Sequence, residues 1–166
     1  MHRLNLPQKG ARKDIYEAIL PQIEAVVSEE SDAIANMANV AAILKEALDF
    51  LWVGFYRLVA DSNDSNHQLV LGPFQGPMAC TRIAIGRGVC GMSAMHRRTI
   101  IVPDVNRFEG HIACSSLSKS EIVVPVFDPS GHTLLGVLDI DSTNLDDFSE
   151  LDKYYLEQII SILSKC

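Results

Sequence analysis

No uninterrupted apolar run in this chain approaches bilayer-spanning length. The first residues, MHRLNLPQKGARKD, hold no apolar stretch that could serve as a signal peptide. Both absences set the expectation of a cytosolic protein that stays out of membranes. Positive charge is scarce too: 14 Lys and Arg face 21 Asp and Glu, a formal net charge of −7. Nucleic acid and anionic lipid both call for a basic surface, so neither is expected as a partner. There is no C-x-x-C pair, and no histidine is spaced from a cysteine pair as in a zinc finger, so no metal site is expected. A reducing compartment keeps the four cysteines, Cys80, Cys90, Cys114 and Cys166, as thiols. Repeats, low-complexity segments and Pro/Gly-rich linkers are also missing, which makes residues 1–166 one expected domain.

What is present reads as helix, then sheet, then helix. Ile15, Ile19, Ile23 and Val26 keep a helical spacing that Pro21 should kink or interrupt. Ile34, Met37, Ala41, Leu44 and Leu48 form a second stripe after a Ser31–Asp32 start. A third helix opens on Ser149 as N-cap with Asp152 three residues on, and carries Leu151, Tyr155, Ile159 and Ile162. The helical part spans 1–49, the sheet 50–145 and the last helix 146–166. Strands are expected at 50–59, 68–74, 80–85, 99–105, 121–127 and 134–142. The polar hairpin loop 60–67 and the turn 128–132 imply antiparallel neighbours. The fold class is α+β, with helices flanking one mostly antiparallel six-stranded sheet.

Gly86-x-Gly88-x-x-Gly91, with Asp104 18 residues after Gly86, has the spacing of a dinucleotide fingerprint. Only seven residues separate Gly91 from the next strand at Thr99, too few for a parallel crossover. The glycines therefore read as a turn into a short helix. A variant of that reading has the turn's free N–H groups bind an anion, with Cys90 at a helix N-terminus where a thiolate is stabilised.

Acids on apolar strands carry the chemistry. In LLGVLDIDS, period-2 alternation puts Leu135, Val137, Asp139 and Asp141 on one face. Glu121 opens another apolar strand. Three acids facing one cavity push at least one pKa upward and supply a proton donor near neutral pH. The only tryptophan, Trp52, shares a strand face with Gly54 and Tyr56, an aromatic wall that suits the methyl or thioether end of a small zwitterion. Cys114 is out of place for packing: it follows GHIA and precedes SSLSKS.

Taken together and in order, WVGFY, LVLGPFQG, the AC and IGRGVCG blocks, GHIAC, SEIV and GVLDIDS resemble the free methionine-(R)-sulfoxide reductases, a GAF-fold family. The resemblance covers Trp52 through the C-terminal helix. It implies N- and C-terminal helices packed largely on one face of the sheet, usually in a homodimer. It implies that Cys114 attacks the sulfoxide sulfur, and that Cys80 or Cys90 forms the subsequent disulfide. Glu121, Asp139 and Asp141 would bind the substrate amino group and assist oxygen protonation, Trp52 would pack on the methyl group, and backbone N–H groups around Asp104 and Val105 would hold the carboxylate. The substrate would be free methionine (R)-sulfoxide and the reductant thioredoxin, without metal, nucleotide or other cofactor. A GAF module that binds or senses without turnover is the alternative. Cys166 has no counterpart in these motifs and is expected to be an incidental, exposed thiol.

Overall fold

The computed structural model of the chain describes residues 3–60, 67–110 and 115–165. Helix α1 (Arg12–Ser28) runs unbroken through Pro21. The expected interruption does not occur, because the helix buries Tyr16, Ile19, Ile23 and Val27 completely against the core. That burial outweighs one missing backbone hydrogen bond. The stripe is rotated slightly from the one expected: Tyr16 and Val27 are inside, while Ile15 and Val26 sit at its margin.

Helix α2 (Ala33–Leu48) starts where its cap predicts, with Asp32 accepting from the amides of Ile34 and Ala35. Such a cap contributes about 1 kcal/mol. Near the C-terminus, α4 (Glu150–Leu163) opens with a capping box between Ser149 and Asp152. The Asp152 carboxylate also accepts from the Tyr16 hydroxyl and from Arg12, tying α1 to α4. On α4 the buried face is Tyr155, Leu156, Ile159, Ile160 and Leu163, whereas Leu151 is exposed.

Between these helices lie β1 (Trp52–Ala60), β2 (His67–Gln75), β3 (Arg82–Ala84), α3 (Gly88–His96), β4 (Ile100–Val102), a single 3-10 turn at Val105–Arg107, β5 (Ser120–Phe127) and β6 (Leu134–Ser142). They form one sheet in the order β3-β2-β1-β6-β5-β4, every neighbour antiparallel. β3 and β4 are shorter than expected, so Cys80 lies before β3 and Val105 beyond β4.

Alternation along the strands divides the molecule in two. Val53, Phe55, Ile122, Val124, Leu138 and Ile140 pack under α1, α2 and α4. The opposite face carries Trp52, Tyr56, Val123 and Val137, covered in part by α3 through Val89, Cys90 and Ala94. The first face holds the larger core, and the second holds the acids.

Candidate active site

Register across the three central strands sets the site. Trp52 on β1 pairs with Asp141 on β6, and Asp141 pairs with Glu121 on β5. Two residues further along, on the same face, Asp139 stands opposite Gly54 and Val123. An aromatic ring and three acids thus share one end of one sheet face, as the period-2 reading of LLGVLDIDS anticipated. They line a cavity together with Tyr56, Met78, Cys90, Ser115 and Ser118. None of the described residues lining it is Lys, Arg or His.

Trp52 is held on three sides. Its ring stacks on Phe74 (5.4 Å) and Tyr56 (6.0 Å), and its indole N–H donates to the Pro77 carbonyl at 3.1 Å. It also lies over Gly54, where an added Cβ would come within 2.3 Å of the ring. Tyr56 donates its hydroxyl to the Cys80 carbonyl at 2.9 Å. Both aromatics therefore fix the turn that delivers Cys80. Cys80 is disulfide-bonded, whereas Cys90 is a free, buried thiol. Cys114, His111 and Cys166 lie outside the described residues, although Ser115, the residue after Cys114, lines the cavity.

The electrostatics follow from burying acids with no Lys, Arg or His among the described residues that line the cavity. Glu121 and Asp139 are 6% and 7% exposed. Burial, then the neighbouring acids, holds Glu121 well above the usual carboxylate range. Burial, then Asp141, does the same to Asp139, and one oxygen of Asp139, Oδ1, finds no hydrogen-bond partner among the described residues. Asp141 is less enclosed. Burial raises it to about 6, against a hydrogen bond from the Ser118 hydroxyl that favours its charged form. At neutral pH such a group is mostly ionised but keeps a minor protonated form, which grows as pH falls toward about 6.

Two expectations change. Cys90 sits in the first turn of α3, but burial and then the Asp139 and Glu121 charges push its thiol up, so the expected thiolate at a helix N-terminus is not formed. The glycines around it shape a tight turn. Gly86 is at φ +81° with its amide bonded to the Gly91 carbonyl, and a Cβ on Gly91 would lie 2.3 Å from the Ala84 oxygen. The second change concerns Asp104 and Val105. The Val105 amide donates to the Lys119 carbonyl, and the amides of Asn106, Arg107 and Phe108 each already have an acceptor in the same turn. Val105 thus has no free N–H for a carboxylate, and Asp104 lines a different groove, with Ile101 and Phe108.

Sequence reading missed Ser118 as a partner of Asp141, since nothing in a run of serines singles one out. Tyr56 was legible only as a face-mate of Trp52, and its bond to Cys80 was not.

Residues 32–165 match the GAF domain family. Among curated proteins, the chain is 54% identical to GAF domain-containing protein A of Dictyostelium discoideum, covering 93% of this chain and 94% of that one. It is 40% identical to the free methionine-R-sulfoxide reductase of Saccharomyces cerevisiae, covering 93% and 86%. Among solved structures, the free methionine-R-sulfoxide reductase of Neisseria meningitidis, in complex with its substrate, superposes with a TM-score of 0.91 at 52% identity, covering 99% of this chain and 95% of that one.

Proposed function

The chain belongs to the free methionine-(R)-sulfoxide reductase family of GAF domains, and from that premise we propose that it reduces free L-methionine (R)-S-oxide with Cys114 as nucleophile. The observation that carries this reading is the row Trp52–Asp141–Glu121, an aromatic wall beside acids that burial makes harder to ionise, facing the turn where Cys80 is held in a disulfide.

Protonation turns a sulfoxide oxygen into a leaving group and makes the sulfur electrophilic. The Cys114 thiolate attacks that sulfur while Glu121, Asp139 or Asp141 delivers the proton to oxygen. The oxygen passes to Cys114 as sulfenic acid, and methionine leaves with the sulfur reduced. A second thiol then displaces water from the sulfenic acid to form a disulfide. We assign that thiol to Cys80, because Cys90 is buried, free and kept protonated. A dithiol protein of the thioredoxin class then reduces the disulfide by exchange. Trp52 packs against the substrate methyl group, and the acids attract its ammonium. Backbone N–H groups of the loop around Asp104 and Val105 hold the substrate carboxylate; the Val105 amide is engaged by the Lys119 carbonyl, which leaves the contact to other amides of the loop.

The reading takes residues 1–166 as one domain working in the cytosol as a homodimer, without metal or organic cofactor. No helix among the described residues is long and apolar enough to cross a membrane. Coupled NADPH oxidation with thioredoxin and its reductase, on separated epimers of free and peptide-bound methionine sulfoxide, tests the activity. Turnover is expected on the free R epimer alone and is lost in Cys114→Ser. Turnover on the S epimer or on the peptide, with none on free R, overturns it. Substrate affinity in Cys114→Ser without any wild-type turnover marks a binding module instead.

A further inference from the structure

Cys90, Glu121 and Asp139 come from three different elements, α3, β5 and β6, yet their donor atoms lie within 4.8 Å of one another. One thiol sulfur and two carboxylate oxygens are a donor set for a borderline-soft divalent cation. All three side chains are buried. The cavity they share has no Lys, Arg or His among its described lining residues to balance them. The orphaned oxygen adds an independent sign: the Asp139 carboxylate is hydrogen-bonded to Cys90 and Glu121, yet its Oδ1, in a residue only 7% exposed, has no hydrogen-bond partner among the described residues. A buried carboxylate oxygen left without a partner costs free energy that a bound cation would recover. Asp141, two residues along the same strand face, supplies a further negative group at the rim.

We propose that Cys90, Glu121 and Asp139 form a binding site for a zinc-type divalent cation, one per chain. Tetrahedral zinc, with Zn–S of about 2.3 Å and Zn–O of about 2.0–2.2 Å, brings its donors to roughly 3.3–3.6 Å apart. Reaching that from the present spacing takes a side-chain adjustment on the order of 1 Å, with no movement of the strands. Binding replaces protons by metal: the Cys90 thiol loses its hydrogen to solvent as the Zn–S bond forms, and any proton shared by Glu121 and Asp139 leaves as well. Nothing is oxidised or reduced. Affinity therefore rises with pH as the protons held by these buried groups become easier to displace. The site overlaps the acids assigned above to the sulfoxide. Occupancy thus excludes substrate, a consequence that rests on the proposed reductase reading, whereas the binding itself does not.

The test uses the full chain in its oxidised form, so that the Cys80 disulfide is intact and takes no metal. Equilibrium dialysis with Zn2+ should give one ion per chain, and calorimetry in buffers of different ionisation enthalpy should show net proton release. Titration with Co2+ should develop a thiolate-to-metal charge-transfer band. Cys90→Ser should abolish the band and weaken zinc binding by more than about tenfold, the least that loss of even an outer-sphere partner costs. Asp139→Asn should keep the sulfur, and with it a residual band, while weakening binding to a similar degree. Free methionine sulfoxide should compete with Zn2+. No stoichiometric binding, or a band that persists unchanged in Cys90→Ser, overturns the site. Binding that survives both substitutions does so too. Binding without competition by the sulfoxide leaves the metal site standing and counts against the substrate assignment.

Discussion

Asp141 is the acid whose protonation is set by the most readable balance: burial raises it to about 6, while the Ser118 hydroxyl bonds its charged form. An acid that must deliver a proton works below its pKa, so activity that depends on Asp141 falls as pH climbs through that value. In Ser118→Ala the charged form loses a hydrogen bond, the pKa rises, and the falling limb moves to higher pH by about one unit. The pH profile of kcat/KM on free methionine (R)-sulfoxide checks this. A limb that stays in place, or shifts downward, removes Ser118 from the proton balance. Cys90 shows the same logic inverted. A position in the first turn of a helix favours a thiolate, yet two neighbouring acids and complete enclosure outweigh the helix and leave a thiol.

At the scale of the element, β1 shows how a strand can place a ring with no freedom. Gly54 leaves the space into which Trp52 lies, and a Cβ there would sit 2.3 Å from the ring and 2.4 Å from the Phe74 Cβ. Gly54→Ala should therefore cost about 1–3 kcal/mol, as overpacking does. It should also raise KM more than a surface substitution, because the ring it displaces faces the cavity. Urea unfolding reads the first effect and steady-state kinetics the second, while the emission of this single-tryptophan chain reports the displaced ring. Unchanged emission and KM would mean the ring is placed by other contacts.

Much of this was legible beforehand. Period-2 alternation assigned Asp139 and Asp141 to one face, and the Asp32 and Ser149 caps marked two helix starts. What escaped were effects that depend on partners distant in sequence. Pro21 is tolerated because α1 packs on α2 and α4 over a core shared with the sheet. The Val105 amide is engaged by Lys119, fourteen residues away in the chain. Strand ends were overestimated at β3 and β4, the two edges of the sheet, where pairing on one side only lets the chain leave early.

Over the whole molecule, the buried acids of the candidate site weaken the fold. Their folded-state pKa values are raised, so the native state binds more protons than the unfolded one. Stability from these groups is fully present below about pH 4 and is lost as pH rises toward their folded values. For Asp141 alone, a rise from 3.8 to about 6 corresponds to at most about 3 kcal/mol at neutral pH. Asp147 has the opposite sense. Burial opposes ionisation there, but Ser142 and Arg12 prevail and lower its pKa, so its contribution disappears only in acid. Between pH 5 and 8 the active-site acids therefore dominate the slope. Asp139→Asn should raise Tm near pH 7.5 by several degrees, at roughly 2–4 °C per kcal/mol, and flatten the decline in stability from pH 5 to pH 8, while activity falls. Calorimetric scans at several pH values measure it. A variant no more stable than the parent would show that the buried acids are already compensated.

The two ring anchors bear on how this sequence can change over time. Trp52 and Tyr56 take hold of main-chain oxygens at Pro77 and Cys80, and neither bond involves a side chain of the turn. Met78 between them projects 91% into solvent. The address of Cys80 is thus written in the backbone, and positions 77–79 are free to drift in identity without moving the sulfur. Selection can retune the rim of the cavity, one substitution at a time, while the disulfide-bonded cysteine behind it stays where it is.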